Sequence, residues 1–233
     1  EVGGTLVSIC RFEPSIVINR AIGCGMSGPA SAEEIAEVVA LYRAAGVERF
    51  FFHIHHLAEP QGEIRGWCSE AGLEKYRGWM KFQRGTKAVQ LRETDLRIAL
   101  VGEAQAEAFG RIAGGNFGLG EAAFPLIGRL VEHPSWQIYM SFDKDRPAGA
   151  GGLFLDSGIG WCDWGATDEA YRGRGSQSAL LSARLNAAIE AGCKAVATET
   201  GEAVPGDPQH SYNNILRAGF KEVTLRENWV PRG

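Results

Sequence analysis

The sequence predicts an α/β protein built on a mixed β-sheet, and three observations carry that prediction. Trp136–Phe142, Ala148–Leu155 and Ile159–Ala166 are apolar and aromatic-rich segments separated only by the turns DKDR and DSG, which reads as an antiparallel meander. An Arg/Gly turn, a segment of helical period and the strand-like AVATET (Ala195–Thr200) follow directly, and a strand that returns through a helical crossover lies parallel to the one it left. The third observation is an internal echo: Gly46 lies 146 residues before Gly192, and Ala71-Gly72-Leu73 lies 147 residues before Ala218-Gly219-Phe220. Each half then runs helix, strand, proline-bearing loop, helix, strand, so the N-terminal part reads as a second copy of the C-terminal end.

Taken in order, residues 5–22 carry Val7, Ile9, Ile16 and Ile18 in rough alternation and predict two short strands broken at Pro14. Ser31 with Glu34 three residues on is a capping box, Ile35, Val38, Val39 and Tyr42 share one helical face, and Gly46 ends that helix. Val47–His55 is apolar and aromatic enough for a buried strand. A helix over 61–71 buries Ile64, Trp67, Cys68 and Ala71, with Gly72 as its stop, and Trp79–Phe82 is a further strand. The stretch 83–95 is polar and charged and reads as the linker. A strand at Leu96–Val101 and helices over 103–113 and 121–131 precede the meander; a helix over 211–218 and a strand over 221–230 close the chain.

The most informative stretch is Trp161–Gly192. Leu181, Leu185, Ala188 and Ile189 recur at helical spacing, and Gly192 supplies the stop. Arg172-Gly173-Arg174-Gly175-Ser176-Gln177 therefore lies at a helix N-terminus, where free backbone N–H groups and the positive end of the helix dipole favour an anion. A solvated turn is the ordinary alternative for a lone hexapeptide of this kind. A Walker loop is excluded because RGRGSQS has no lysine, and a dinucleotide fingerprint lacks its third glycine at Ser178. A doubly wound nucleotide fold also needs alternating strands and helices, whereas a meander precedes this turn and only 55 residues follow Ser178.

At 233 residues, 45% hydrophobic and 22% charged, the chain can bury a full core. Its net charge of -4 argues against a nucleic-acid partner. No apolar run is long enough to span a membrane and no charged-plus-apolar leader is present, so no membrane association is expected. Cys10, Cys24, Cys68, Cys162 and Cys193 are scattered and odd in number, which fits reduced thiols and a cytoplasmic location. The chain starts at Glu1 without methionine, and a short preceding piece is expected. His53, His55 and His56 invite a metal reading, but no carboxylate or cysteine stands at matched spacing, and packed or edge histidines are the expectation.

YRGRGSQSALL with LRAGF, in this order of elements, resembles the GNAT superfamily of acyl-CoA-dependent N-acyltransferases over about residues 95–230. Gln177 departs from the Gly or Ala usual there. The resemblance implies a GNAT-like domain at 96–233, a linker at 86–95 and a degenerate N-terminal GNAT-like half domain at 1–85, the last lacking an anion turn because Met26–Ser31 (MSGPAS) holds no arginine. It implies acetyl-CoA as the acyl donor, its pyrophosphate on Arg172, Gly173, Arg174, Gly175, Ser176 and Gln177. It also implies contacts to the rest of the cofactor from Ala166, Thr167, Asn213 and Asn214. The acceptor would be a small-molecule or peptide amine, and a homodimer is left open.

The attacking amine must be neutral, so a carboxylate is needed to receive its proton; Asp163 and Glu199 hold positions where the family often has acidic residues, and each is equally a structural carboxylate. Backbone N–H groups near Gly165 to Thr167 would polarise the carbonyl. The tyrosine that usually protonates the thiolate is replaced by Ile215, and Tyr212 is the nearest phenol. Cys162 and Cys193 have no evident partner base for a nucleophilic role. Trp136, Trp161 and Trp164 either fill the core or line an acceptor pocket. The expected activity is acetyl transfer from acetyl-CoA to an amine; the alternative is a non-catalytic acyl-CoA-binding or sensing protein.

Overall fold

The computed structural model describes residues 1–90 and 93–233; Leu91 and Arg92 of the predicted linker lie outside the described residues. Contacts divide the chain into two compact units, Glu1–Met80 with Thr224–Gly233, and Lys81–Val223.

In the first unit, β1 (Leu6–Ser8) pairs antiparallel with β2 (Arg20–Ile22), β2 runs parallel to β3 (Phe51–Ile54), and β3 pairs antiparallel with the end of β10 (Lys221–Pro231) through Glu227↔Ile54, Asn228↔His53 and Trp229↔Phe52. The body of β4 (Leu73–Arg84) lies next in that order. Helix α1 (Ala32–Ala44) buries the predicted stripe Ile35, Val38, Val39 and Tyr42, and α2 (Gln61–Glu70) buries Ile64 and Cys68. Tyr42 stacks on Phe50 with ring centroids 3.9 Å apart.

Two local expectations change here. The capping box is half formed: Ser31 Oγ accepts from Glu34 N at 3.2 Å, but the Glu34 carboxylate accepts from the Thr5 hydroxyl at 2.7 Å. The buried segment before β3 is irregular, its strand starting only at Phe51, although Val47 and Phe50 are buried. The last ten residues also belong to this unit rather than to the second, a placement that a linear division at 86–95 does not contain.

In the second unit, β5 (Arg97–Val101), β6 (Trp136–Asp143), β7 (Arg146–Asp156) and β8 (Ile159–Thr167) are joined antiparallel in succession, and β9 (Ala195–Gly201) is parallel to β8. The meander and the crossover are as predicted, with Lys144 and Ser157 left-handed in the two tight turns. α3 (Ala106–Asn116) follows a 3-10 turn at Glu103–Gln105.

The helix predicted over 121–131 is instead a 3-10 turn, the five-residue α4 (Phe124–Gly128) and a second 3-10 turn at Arg129–Glu132. Backbone contact with α3 accounts for much of this: a Cβ on Gly110 would fall 2.2 Å from the Phe124 carbonyl oxygen, and one on Gly128 2.7 Å from that of Ala106. Pro125 in the first turn contributes no amide to lengthen the helix. α5 (Ser176–Glu190) buries Ala179, Leu180, Leu181, Leu185 and Ala188, and α6 (His210–Arg217) precedes β10.

Candidate active site

The site starts from the way β8 and β9 part. Their ladder runs from Ile159↔Ala195 to Cys162↔Thr198, while β8 continues to Thr167 and β9 to Gly201. The Thr198 hydroxyl closes the ladder by donating to the Cys162 carbonyl at 2.8 Å. On its other side β8 bulges: Ala150 opposes Ala166 and Gly152 opposes Asp163, so Trp164 and Gly165 face the single residue Gly151. Trp164 takes φ 52, a conformation that costs a bulky residue strain and must be held by its surroundings. Its N–H donates to Asp163 Oδ1 at 2.7 Å, and its ring meets Phe117 edge-on at 5.1 Å.

The predicted carboxylates occupy the first positions beyond the last ladder pair, Asp163 on β8 and Glu199 on β9. They join one cluster. Trp161 Nε1 donates to Asp163 Oδ2 at 3.2 Å, Lys81 Nζ lies 4.6 Å from the Trp161 ring centre, and the same ammonium is paired with Glu199 Oε2. Glu199 is nearly buried, its side chain 6% exposed. Lys81 was not among the predicted site residues; only its place within the strand segment Trp79–Phe82 hinted at an inward-facing partner.

The anion turn has the predicted backbone. Gly173 and Gly175 both take φ 82, which glycine adopts without Cβ strain, and Gly175 is the N-cap of α5. The first amides of α5 accordingly lack intrahelical acceptors. The side chains depart from expectation. Arg174 is turned onto Asp95 and Asp143, with Nη1 to Asp143 Oδ2 at 2.9 Å and Nε to Asp95 Oδ2 at 3.1 Å. Its hydrogen bonds hold both aspartates below the usual carboxylate range, and they in turn raise the guanidinium. Arg172 is exposed beside Glu169 at 3.3 Å. Ser176 points inward, its hydroxyl 2.7 Å from that of Ser141, and Gln177 reaches α6, accepting from Asn214 Nδ2 at 2.9 Å and donating to Ser211 at 3.4 Å. Gln177 thus ties α5 to α6. What the turn offers an anion is backbone amides, with Arg172 alongside.

A cavity of about 710 Å³ opens beside this turn, walled by Gly175 and Ser178 of α5, Asn214 and Arg217 of α6, and Gln90 and Glu93 of the segment after β4. That size suits a ligand larger than a bare phosphate. Asn186 holds the segment on α5 through both backbone groups of Val89, at 3.3 and 3.1 Å, and Thr94 donates to the Arg174 carbonyl at 2.7 Å. Asn214 accepts from Arg217 at 2.5 Å, whereas the Asn213 carbonyl takes the Arg217 Nε at 3.2 Å. Ala166 is buried on β8, and Thr167 Oγ1 is buried without a hydrogen-bond partner among the described residues.

Tyr212 is not among the residues that wall this cavity. Its hydroxyl donates to Glu222 Oε1 at 2.5 Å and its ring packs edge-on against Phe82 at 4.9 Å; burial and Glu222 push its pKa up to about 12. Burial also raises the thiols of Cys162 and Cys193, opposite to what a nucleophile needs. His53 is bound to Asn228 at 2.8 Å and His56 to Thr224 at 2.8 Å, and among the described residues no group of three or more His, Cys, Asp or Glu is arranged to hold a metal. Among the described residues no helix is long and apolar enough to cross a membrane.

No family model and no curated protein matches this chain. Solved structures do. A GCN5-related N-acetyltransferase from Kribbella flavida aligns over 98% of this chain and 89% of its own at TM-score 0.65 and 14% identity. An acetyltransferase of the GNAT family from Colwellia psychrerythraea aligns over 86% and 72% at TM-score 0.58 and 18% identity. A conserved protein of unknown function from Staphylococcus epidermidis ATCC 12228 aligns over 99% and 92% at TM-score 0.64 and 12% identity.

Proposed function

We propose that this chain, which has the fold of the GCN5-related N-acetyltransferases, transfers an acetyl group from acetyl-CoA to an amine acceptor by direct attack with both substrates bound. The observation that carries the reading is the parting of β8 and β9 immediately before the glycine-flanked N-terminus of α5. An extended thiol arm fits between parted strands, whose freed backbone groups can bond it, and a pyrophosphate fits the amides of Gly173 to Gln177. The 710 Å³ cavity between α5 and α6 leaves room for the remainder of the donor. Acetyl-CoA supplies the thioester carbonyl; everything else is asked of the protein.

Arg172 and the amides of Gly173, Arg174, Gly175, Ser176 and Gln177 hold the pyrophosphate, while the Arg174 guanidinium serves the turn by anchoring it to Asp95 and Asp143. Ala166 and Thr167 line the arm, Thr167 through its unpartnered hydroxyl, and Asn214, with Asn213 beside it, lies at the far wall. The amide of Gly165, turned by the bulge, polarises the carbonyl. Glu199, paired with Lys81, receives the proton of the attacking amine as the C–N bond forms, and the C–S bond breaks to release CoA as its thiolate, which takes its proton from solvent. Asp163 spends both oxygens on Trp161 and Trp164 and positions the bulge.

A second reading, a non-catalytic acyl-CoA-binding module, is favoured by one observation: Ile215 stands where a phenol is usual, and the Tyr212 hydroxyl is given to Glu222. Thiol release from acetyl-CoA across a panel of primary amines separates the two. Amine-dependent release is expected; saturable binding of acetyl-CoA without release for any amine would replace the transferase by the binding module.

A further inference from the structure

The α5 residue Arg184 is a charged side chain set within an otherwise apolar stripe, 3% exposed, and none of the roles above uses it. Among the described residues its guanidinium hydrogen-bonds to backbone carbonyls: Nε donates to Leu180 at 3.1 Å within its own helix, and Nη1 donates to Gly152 at 3.0 Å and to Asp163 at 2.9 Å. Gly152 and Asp163 are the cross-strand pair that closes the β8 bulge on one side. The guanidinium also fills the ground beneath the bulge. A Cβ on Gly151, the single residue facing Trp164 and Gly165, would fall 2.7 Å from Arg184 Cζ, and one on Gly165 3.5 Å from Nη2. A buried cation is costly to desolvate, and here the carbonyls of Leu180, Gly152 and Asp163 offset that cost.

We infer that Arg184 is a positioning residue for acetyl transfer: by gripping the carbonyls of Asp163 and Gly152 from beneath, it holds the strained Trp164 conformation and so fixes the direction of the Gly165 amide toward the acyl carbonyl. The inference rests on the proposed transferase reading. It differs from a purely structural role in what it predicts, because the grip acts on the polarisation of a bound carbonyl rather than on binding of the nucleotide end of the donor.

The experiment is isotope-edited infrared spectroscopy of carbonyl-labelled acetyl-CoA bound to the full chain, paired with calorimetric titration of the same proteins with acetyl-CoA. In the unsubstituted protein the thioester carbonyl band shifts to lower frequency on binding. Arg184→Met and Arg184→Lys are expected to keep Kd within about threefold while losing most of that shift, and to lower kcat about 10- to 100-fold at little cost in KM, less than deletion of an oxyanion donor outright. Gly151→Ala, which displaces the guanidinium without altering it, is expected to reproduce the loss and is decisive if the Arg184 variants do not fold. A full carbonyl shift in any of these variants that binds acetyl-CoA overturns the inference and leaves the transferase reading standing. Absence of acetyl-CoA binding by the unsubstituted protein overturns that reading, and this inference with it.

Discussion

Glu199 and Tyr212 illustrate how neighbours assign roles that residue type leaves open. Glu199 is nearly buried and paired with Lys81, so solvent is largely excluded from its carboxylate. Glu199→Gln is expected to lower kcat by about 10²- to 10⁴-fold with acetyl-CoA affinity intact, measured by thiol release and calorimetry. Tyr212 carries the opposite expectation. With its proton directed at Glu222 and its pKa near 12, Tyr212→Phe should leave the turnover number within about twofold and cost roughly 1 kcal/mol of stability from the lost hydrogen bond, read by chemical denaturation. A large loss of kcat in Tyr212→Phe would return the acid role to the phenol. The strand placement of Asp163 and Glu199 was legible, but the partners that distinguish them were not: Lys81 is 118 residues from Glu199 in the chain. Arg184 left a trace, since a charge among Leu181, Leu185 and Ala188 breaks an apolar stripe.

At the scale of elements, the turn before α5 was readable because glycine spacing and a helix start are local signals, and Gly173 and Gly175 do take the left-handed conformation. Gly175→Ala would strain that conformation and bring its Cβ 3.1 Å from the Glu93 carbonyl oxygen; a loss of about 1–2 kcal/mol and weaker acetyl-CoA binding are expected together. The electrostatics of the same turn were not readable, because Asp95 and Asp143 stand 79 and 31 residues from Arg174. Their folded pKa values lie below the unfolded aspartate value of about 3.9. The clamp therefore contributes its stability above that value and loses it as pH falls through the lowered folded values. Thermal unfolding of Arg174→Ala should show a deficit near neutral pH that shrinks as pH falls below the unfolded aspartate value of about 3.9 and through the lowered folded values. A deficit unchanged across that range would mean that the arginine acts through packing alone. Helix 121–131 failed as a prediction for a related reason: its apolar period is genuine, but the close approach at Gly110 and Gly128 comes from another helix.

For the whole molecule, the repeated order helix, strand, helix, strand recurs as α1-β3-α2-β4 and α5-β9-α6-β10, with Gly46 and Gly192, then Gly72 and Gly219, all left-handed at matching places. Periodicity and glycine stops made that order legible. Nothing local announced that the end of β10 joins the first unit, where Asn228 and Trp229 are buried and pair with His53 and Phe52. Removal of Thr224–Gly233 is expected to strip β3 of this partner and leave the first unit's amides in rapid hydrogen exchange; protection retained across β3 would refute that dependence. The proposed activity requires acetyl-CoA as the donor. Calorimetric titration of the full chain with acetyl-CoA and, separately, with NADH measures this directly. Saturable one-to-one binding of acetyl-CoA in the micromolar range with no heat from NADH is predicted, and binding of NADH without acetyl-CoA, or of neither, would contradict it.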